Sequence, residues 1–293
     1  IVAYHGNPAF ALKVPHTAEE RIRRMSCKTI PLLIALTVPL LASCAWAQGV
    51  RSSLDSESGP LRVETIADGL SGPWGAAFLP DGRMLLTERP GRIRFLQDGK
   101  LSDPVKNTPV PWVRQDGGYL DIAVDPDYRN NGWVYLSYST VAPGVKQPPP
   151  DDPNMPRSQL PPAPPNMTRW VRGRINASNE WVDEEDILPM PADTYSDGII
   201  HYGTRFLFDD KGHLFITAGD RGEKSHAQDL TSPLGKIHRI KPDGSIPEDN
   251  PFVKTPGAIA SIWTLGNRNP QGIAIDPRTG LMWGSDNGPT GGD

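Results

Sequence analysis

Cysteine is nearly absent from this chain, and its absence limits how the protein can be stabilised. The 293 residues include two cysteines, Cys27 and Cys44, and both lie before residue 48. A domain formed by the remaining residues therefore contains no internal disulfide. With 37% apolar residues, the chain is long enough to rely on a sizeable hydrophobic core instead.

Helical patterning, a nucleotide fingerprint and an excess of basic charge are also missing. No segment combines helical periodicity with caps over three turns, which predicts little helix. The chain has no G-x-G-x-x-G motif, so nothing in it indicates a dinucleotide-binding domain. Residues 48–293 carry 25 basic and 32 acidic side chains, a net charge of about −7. A negative net charge argues against nucleic acid as a partner.

The N-terminal segments are predicted to lie outside the fold. Residues 1–24 show neither helical nor strand periodicity, and we expect them to be upstream or non-native sequence. Residues 25–47 have a short basic start and the apolar run IPLLIALTVPLLA, which predicts an export signal rather than a membrane span. AWA before Gln48 suits ordinary cleavage, whereas LASC, ending at Cys44, resembles a lipobox. The protein is thus expected to be periplasmic or secreted, and membrane-anchored only if Cys44 is lipidated.

A repeated pattern follows a predicted linker at residues 48–62. FLPDGRMLLTE, VDPDYRNNGWVYLSYS, FDDKGHLFITAGD and IDPRTGLMWGSDNG each combine an Asp-containing turn, a glycine and a β-rich run. Spacings of 44, 84 and 67 residues separate their marker aspartates, which are Asp81, Asp125, Asp209 and Asp276. The first spacing is one propeller-blade length, and the second is close to two. We therefore predict an all-β β-propeller over residues 63–293.

The number of blades depends on the long second spacing. A further repeat is expected around TRWVRGRI, which begins at Thr168 and is itself a predicted strand. We expect about four to five blades in residues 63–293. A β-sandwich is the alternative, although it does not explain the repeated D-x-x-G motif at this period.

The proline-rich stretch Pro143–Pro165 interrupts the repeats. Proline has no backbone N–H to donate, so this stretch cannot form a central strand. It is interpreted as an exposed insertion or semi-rigid spacer without a function of its own.

A histidine and an aspartate at the two ends of one predicted hairpin are the first candidate site residues. His201 and Asp220 are 19 residues apart, so the hairpin can return Asp220 beside His201. A carboxylate on one imidazole nitrogen fixes the tautomer and raises the basicity of the other nitrogen, as a general base requires. The alternative is that Asp220 caps a turn and His201 is an ordinary polar residue.

Three loops are further candidates. GNRNPQG holds Arg268 and Asn269 at a set angle, because Pro270 makes the preceding residue extended; a strand-connecting turn with a solvated arginine is the alternative. GPTGGD could aim the Gly288 and Pro289 carbonyls at a hard cation such as calcium. RQDGGYLD could present Gln115 or Asp116 to a ligand, although a plain hairpin explains it as well.

Several of these segments, in this order, resemble one enzyme family. The blocks are PWGAAFLPDGRMLLTERPGRI, GGYLDIAVDPDYRNNGWVYLSYS, HYGTRFLFDDKGHLFITAGDRG, GKIHRIKPDGSIPEDNPF, GNRNPQG and DNGPTGGD. They are similar to the soluble aldose sugar dehydrogenases and soluble glucose dehydrogenase that use pyrroloquinoline quinone (PQQ). The resemblance runs from about Val63 to Asp293 and implies a six-bladed β-propeller with the quinone over one end of its channel.

The resemblance implies the oxidation of an aldose at C1 to the lactone. His201 matches the general base and Asp220 the carboxylate that orients it, and hydride passes from the sugar to PQQ. Arg268 matches a residue that stabilises the negative charge developing on the quinone. The reduced quinone then passes its electrons to an external acceptor.

The same resemblance implies the cofactor ligands. Arg268 and Asn269 match residues that contact PQQ, and Asp116 falls at a further cofactor-binding position. Gly288 and Pro289 match the backbone-carbonyl ligands of a calcium ion (Ca2+) that polarises the quinone. These assignments are expectations carried by the motifs.

The chain departs from the family pattern at three points. Asn267 stands where the family often has histidine, and Asp116 stands where glutamine is usual; both affect the expected cofactor affinity or substrate choice. The chain ends at GGD, whereas the family continues with further blades and basic PQQ ligands. We therefore expect a C-terminal truncation and name no ligands beyond it.

Two other classes of function remain open. One is a calcium-dependent propeller lactonase or related hydrolase, which uses acidic and asparagine metal ligands and no quinone. The other is a non-catalytic propeller that binds glycans or proteins. Only the dehydrogenase is expected to reduce a dye when PQQ, calcium and an aldose are supplied.

Overall fold

The computed structural model describes residues 2–5, 51–54, 57, 59–149, 151 and 155–289. The export signal expected at residues 25–47, with Cys27 and Cys44, lies outside these residues. Its cleavage site and lipidation therefore stay predictions. Among the described residues, no helix is long and apolar enough to span a membrane.

The chain divides into two compact units, residues 1–68 and residues 69–293. The first contains a three-stranded antiparallel sheet with β3 in the middle. Its strands are β1 (Val2–His5), β2 (Arg51–Leu54) and β3 (Leu61–Thr65). No strand was expected in residues 1–24, because a run of four residues is too short to show a clear alternation of apolar and polar side chains.

The described residues of the second unit form four antiparallel sheets that follow one another along the chain. The first sheet is formed by β4 (Pro73–Phe78), β5 (Met84–Glu88), β6 (Arg92–Gln97) and β7 (Lys100–Leu101), and the second by β8 (Tyr119–Val124), β9 (Val134–Val141), β10 (Asn166–Ile175) and β11 (Trp181–Asp186). The third is formed by β12 (Gly203–Phe208), β13 (Leu214–Ala218), β14 (Lys236–Ile240) and β15 (Ile262–Leu265), and the fourth by β16 (Pro270–Ile275) and β17 (Met282–Asp286).

The first strands of consecutive sheets pack against one another. β4 lies against β8, β8 against β12, and β12 against β16. This succession of antiparallel sheets, joined through their first strands, is the blade arrangement of a β-propeller. Helix is limited to α1 (Tyr128–Asn131) and three short 3-10 turns within the described residues, at Arg157–Gln159, Ala192–Thr194 and Lys224–Gln228. The predicted all-β propeller fold is confirmed.

The repeated aspartates mark the same turn in all four sheets. Each lies in the hairpin between the first and second strands and accepts a hydrogen bond from the backbone N–H two residues later. The four markers are Asp81, Asp125, Asp209 and Asp276, and the N–H to Oδ1 distances are 3.1, 2.8, 2.9 and 2.9 Å. Asp side chains favour this Asx turn, which explains why the motif recurs once per sheet.

The extra repeat expected around Thr168 does not form a sheet of its own. TRWVRGRI is a strand, as predicted, but it lies inside β10, the third strand of the second sheet. The long second marker spacing instead contains one blade and the proline-rich segment, residues 143–165. A spacing alone could not distinguish an additional blade from a long connection.

The hydrophobic core lies between consecutive sheets, and β9 shows how one strand serves two interfaces. Val134, Leu136 and Tyr138 pack towards the first sheet, in a cluster with Leu85 and Ile93. Tyr135, which alternates with them, and Trp133, directly before β9, pack towards the third sheet. Successive side chains of a strand point to opposite faces, so the period of two buries both faces of this sheet.

Buried hydroxyls join the sheets where the first strands are irregular. A register shift interrupts the pairing of β4 with β5 between Pro73 and Ala76. There the Gly75 N–H donates to Thr87 Oγ1 at 2.8 Å, and the Thr87 hydroxyl donates to the Leu120 carbonyl of the next sheet at 2.6 Å. The hydroxyl thus satisfies a backbone group that the bulge leaves without a strand partner and links two sheets.

Thr217 repeats this arrangement between the third and fourth sheets. The Arg205 N–H donates to Thr217 Oγ1 at 2.8 Å, and the Thr217 hydroxyl donates to the Pro270 carbonyl at 2.9 Å. Thr217, like Thr87, is fully buried. Each hydroxyl therefore helps to fix the position at which the first strand of the next sheet begins.

The proline-rich segment joins β9 to β10 and is held to the protein at several points. The described residues of the segment are mostly exposed and contain no strand, as predicted. The segment is nevertheless anchored, because buried Arg114 forms a bidentate ion pair with Asp151 and donates to the Pro161 carbonyl at 2.8 Å. Gln147 Nε2 also donates to the Pro111 carbonyl at 2.9 Å.

Candidate active site

The fold places all the predicted site residues at one end of the sheets. Each lies just before a first strand or just after a second strand. Because these two strands are antiparallel, both positions fall at the end opposite the Asx turns. Asp116 precedes β8, His201 precedes β12, Asp220 follows β13, Arg268 and Asn269 precede β16, and Gly288 and Pro289 follow β17.

His201 and Asp220 form a buried hydrogen-bonded pair, as the hairpin geometry predicted. His201 Nδ1 lies 2.7 Å from Asp220 Oδ1, and the side chains are 11% and 4% exposed. A carboxylate can only accept a hydrogen bond, so this contact favours the tautomer with the proton on Nδ1, in which Nε2 carries the lone pair. Asp220 Oδ1 also accepts the Gly222 N–H at 2.8 Å, which fixes the carboxylate itself.

The backbone of His201 has an unusual conformation that its neighbours support. Its φ is 53°, in the left-handed region that favours glycine. A Cβ at position 219 would lie 2.0 Å from the His201 carbonyl oxygen, so Gly219 is needed for this close approach. The Asp116 Oδ2 accepts the His201 N–H at 3.2 Å. The Asp116 side chain thus contacts the backbone of the candidate base.

The GNRNPQG loop is held by a residue that the sequence analysis did not single out. Asp286, at the end of β17, accepts the Arg268 N–H at 3.0 Å and the Asn269 N–H at 2.6 Å. The Arg268 guanidinium, which is partly exposed, donates to the Asn287 carbonyl. The Arg268 carbonyl in turn accepts the Asp220 N–H at 2.7 Å. Arg268 is therefore one backbone hydrogen bond from the His201–Asp220 pair.

Asn269 connects the third and fourth sheets. It is 6% exposed, and its Oδ1 accepts the Gly203 N–H at 3.1 Å and Gln271 Nε2 at 2.9 Å. Because Gly203 is two residues from His201, Asn269 fixes the GNRNPQG loop relative to the base. Asn267, the position that departs from the family pattern, accepts the Thr264 hydroxyl on its Oδ1 at 3.1 Å.

This end of the sheets carries a guanidinium and backbone carbonyls, the two kinds of group expected to bind the quinone and the cation. Arg268 offers a partly exposed guanidinium, which suits a quinone oxygen on which negative charge grows. Gly288 and Pro289 offer backbone carbonyls, and oxygen ligands are what calcium prefers. Among the residues that the structure describes, no group of three or more His, Cys, Asp or Glu side chains is arranged for a metal. A calcium ion here would therefore depend on carbonyl oxygens.

Two neighbours of the pair, both missed by the sequence analysis, are buried polar groups. Arg221, directly after Asp220, is 2% exposed, and burial lowers the pKa of its guanidinium. Burial also raises the pKa of the Tyr202 hydroxyl. Arg221 lies over the Tyr202 ring at 3.4 Å from the centroid. Their partners are distant in the chain, so no local sequence pattern indicates them.

Comparison with known proteins identifies the class and then the family. In structure the chain is similar to the crystal structure of the soluble aldose sugar dehydrogenase from Escherichia coli in the apo-form, with a TM-score of 0.67 and 36% identity over 78% of this chain and 61% of that chain. It is also similar to the PQQ-bound form of aldose sugar dehydrogenase from Streptomyces coelicolor, with a TM-score of 0.61 and 26% identity over 83% of this chain and 62% of that chain. The fold is thus that of the soluble propeller dehydrogenases.

The sequence comparison gives the family. Residues 70–293 match the Glucose / Sorbosone dehydrogenase family, and the chain belongs to it. Aldose sugar dehydrogenase YliI of Escherichia coli (strain K12) is 37% identical over 244 residues, which are 83% of this chain and 60% of that protein. The chain spans about 60% of the length of this relative.

Proposed function

We propose that the protein oxidises an aldose at C1 to the lactone with PQQ as the electron acceptor. The observation that carries the proposal is the buried His201–Asp220 pair, whose Nδ1 to Oδ1 distance is 2.7 Å, beside the Arg268 loop. Membership of the family and the similarity to a PQQ-bound aldose sugar dehydrogenase support the same reaction.

The chain supplies the base and its orientation. His201 Nε2 accepts the proton of the C1 hydroxyl, while Asp220 keeps the other proton on Nδ1 and favours the imidazolium that forms. PQQ, when bound, would accept the two electrons and the hydrogen of C1 as hydride. The Arg268 guanidinium would lie near the quinone oxygen that gains negative charge. Asn269 fixes the position of the loop that carries it, and Asp116 holds the His201 backbone.

Calcium is the second proposed ligand, with Gly288 and Pro289 as candidate carbonyl ligands. Two neutral oxygens bind a divalent ion weakly unless other oxygens complete a shell of about six to eight ligands. Calcium and PQQ are therefore expected to bind cooperatively, each raising the affinity for the other by the same factor. A PQQ titration with and without calcium, followed by quinone absorbance, tests this. If calcium leaves the PQQ affinity unchanged, Gly288 and Pro289 belong to an ordinary turn and not to a calcium site.

Reconstitution separates the proposed function from its two rivals. PQQ and calcium are added to the purified protein, and reduction of a dye by an aldose is measured beside hydrolysis of a lactone. Dye reduction that requires PQQ supports the dehydrogenase. Lactone hydrolysis with calcium alone would indicate a propeller hydrolase. Sugar binding without either reaction would indicate a glycan-binding protein.

The location and partners of the protein are proposed from the sequence. Export through the segment at residues 25–47 would place it in the periplasm or outside the cell, where an external acceptor could take electrons from the reduced quinone. Mass spectrometry of the processed N-terminus distinguishes a start near Gln48 from a start at Cys44. A diacylglyceryl mass on Cys44 would identify a lipoprotein, and an uncleaved cytoplasmic chain would contradict both.

A further inference from the structure

Arg221 is a buried cation whose hydrogen bonds all go to the segment that carries the candidate base or to its neighbour Asn166. Its Nε donates to the Ile200 carbonyl at 3.1 Å, and its Nη2 donates to the Gly198 carbonyl. Its backbone N–H donates to the His201 carbonyl at 3.3 Å. One arginine therefore binds the backbone at the base itself and at two of the three residues before it.

The two residues that face each other across this contact are both in a rare backbone conformation. Arg221 has φ 60° and His201 has φ 53°. Non-glycine residues stay in the left-handed region only where the surrounding structure holds them. Such strain is concentrated at functional sites. The hydrogen bonds of Arg221 provide this support from the side chain and from the backbone.

Asn166, at the start of β10, extends the contact to the end of the proline-rich segment. It is fully buried, and its Oδ1 accepts Arg221 Nη2 at 2.7 Å and the Tyr202 hydroxyl at 2.6 Å. Its Nδ2 donates to the carbonyls of Pro164, Ser196 and Gly198 at 3.0, 3.0 and 3.1 Å. The carboxamide thus joins three parts of the chain around the base: the end of the proline-rich segment, residues 196–202 and Arg221.

The remaining nitrogen of Arg221 shows how completely the side chain is enclosed. Nη1 is buried and has no hydrogen-bond partner among the residues that the structure describes. The flat face of the guanidinium lies on the Tyr202 ring. Leaving a buried donor unpaired is unfavourable, so the position of this arginine is not explained by its own hydrogen bonding alone. It is explained if the segment from Gly198 to His201 must be held in place.

We propose that Arg221, together with Asn166, is a positioning residue for His201. Neither touches the reacting atoms. Their role is to keep the left-handed backbone of His201 fixed, so that the imidazole stays on Asp220 and Nε2 keeps one direction. The kinetic part of this proposal rests on the proposed sugar oxidation, whereas the structural part can be tested without any cofactor.

The first experiment observes the imidazole of His201 directly. In protein labelled with 15N-histidine, an Nδ1–H held by Asp220 gives a downfield proton signal, assigned by its loss in His201→Gln. Arg221→Met should broaden this signal beyond detection, because the ring then leaves Asp220 often enough for exchange with water. Arg221→Lys should retain a weaker signal. Arg172→Met, at a largely buried arginine of β10 that pairs with Glu185, is the matched control and should leave it unchanged.

The second experiment separates turnover from binding. With PQQ, calcium and an aldose, Arg221→Met should lower kcat on the order of 10²-fold, the size expected for a small misplacement of a catalytic group. PQQ affinity, followed by quinone absorbance, and KM for the sugar should each stay within threefold. Arg221→Lys should recover part of kcat. If Arg221→Met merely reduced the amount of folded protein, the active fraction would fall. The contrast between kcat and binding, and the recovery in Arg221→Lys, would then be absent.

The outcomes are distinguishable. A folded Arg221→Met protein with a wild-type imidazole signal and wild-type kcat overturns the proposal. If Arg221→Met does not fold, Arg221→Lys and Tyr202→Phe decide, because Tyr202→Phe removes only the hydroxyl on Asn166; unchanged signals in both overturn it. If the signal responds as expected but wild-type protein oxidises no sugar, the positioning role stands and the proposed function fails.

Discussion

The third sheet contains two His–Asp pairs, one at each end, and they are nearly identical in local geometry. His201 Nδ1 lies 2.7 Å from Asp220 Oδ1, and His213 Nδ1 lies 2.8 Å from Asp209 Oδ2. Both pairs are largely buried, with side-chain exposures of 11% and 4% against 17% and 11%. A His–Asp hydrogen bond is therefore not by itself a sign of catalysis.

The surroundings of the two pairs differ. Asp209 belongs to an Asx turn and accepts the backbone N–H groups of Lys211 and His213, so all these contacts are local. Although burial acts to raise it, hydrogen bonds from His213 and Lys211 hold the pKa of Asp209 below its ordinary value. The His201–Asp220 pair instead contacts loops from other sheets. What distinguishes a candidate site here is the convergence of loops that are distant in sequence.

Replacing each histidine is the strongest way to test this difference. His201→Ala should lower kcat by roughly 10²–10⁴-fold, the range for loss of a general base, with PQQ affinity nearly unchanged. His213→Ala removes the same side chain from the other end and should leave kcat within a few-fold of wild type. Dye reduction and a PQQ titration on both variants provide the measurement. If His201→Ala turned over at nearly the wild-type rate, another residue would have to be the base.

The two aspartates should show a smaller contrast in the same direction. Asp220→Asn leaves Nε2 in place but disturbs the tautomer and orientation of the ring, so kcat should fall by roughly 10- to 10²-fold. Asp209→Asn keeps a side-chain oxygen that can accept the turn N–H groups, and kcat should be unaffected. Steady-state kinetics at saturating PQQ compare the two. Equal losses in the two variants would mean that the ends of the sheet are not different in function.

A third histidine of the same sheet, His238, lacks a carboxylate and should affect stability instead of turnover. It is fully buried between the Ser261 hydroxyl and the Pro233 carbonyl, and burial lowers its pKa from 6.5 to about 4. The unfolded chain therefore binds a proton more readily between pH 6.5 and pH 4. Its contribution to stability is complete above pH 6.5 and is lost as the pH falls through this range.

Urea unfolding at pH 7 and pH 5 measures this contribution. The wild-type protein should lose about 2 kcal/mol more than His238→Gln between the two pH values, because glutamine does not titrate and can still donate to the Pro233 carbonyl. Other groups that titrate in this range cancel in the comparison. An equal loss in the two proteins would show that His238 is not the group that responds.

The outer ion pairs of the second sheet should matter least. Arg169 Nε lies 2.6 Å from Asp186 Oδ1, but the two side chains are 39% and 38% exposed. Exposed pairs contribute little because water screens them, so Arg169→Ala should change the free energy of unfolding by less than about 1 kcal/mol. Thermal and urea denaturation test this, and activity should not change. A loss well above about 1 kcal/mol would mean that exposure to water does not decide how much these charges contribute.

Local patterns in the sequence were sufficient to predict the repeats and the His201–Asp220 pair. An Asx turn needs only an aspartate and the residues that follow it, so the four hairpins could be located from their motifs. The pairing of His201 with Asp220 depends on two short antiparallel strands, whose lengths the sequence also indicates. The prediction of an extra repeat was wrong because a long marker spacing does not reveal whether it contains a blade or a connection.

The residues that hold the site together could not be predicted in this way. Asn166 and Arg221 are 55 residues apart in the sequence and meet only after the second and third sheets have packed. Asp286 binds the Arg268 loop from the far strand of its sheet. The ion pair of Arg114 with Asp151 likewise crosses from a loop to the proline-rich segment. Each contact depends on tertiary packing, which no local spacing encodes.

We propose that PQQ binds at the end of the sheets where the first strands begin, and two arginines of the fourth sheet test this most directly. Arg268 lies at that end, whereas Arg278 lies in the opposite hairpin, paired with Asp276 at 3.1 Å. We would titrate PQQ in the presence of calcium into Arg268→Met and Arg278→Met and follow quinone absorbance. Loss of a charged donor predicts at least tenfold weaker binding for Arg268→Met, about 1.4 kcal/mol, and wild-type affinity for Arg278→Met. Wild-type affinity in Arg268→Met, or an equal loss in both variants, would contradict the claim.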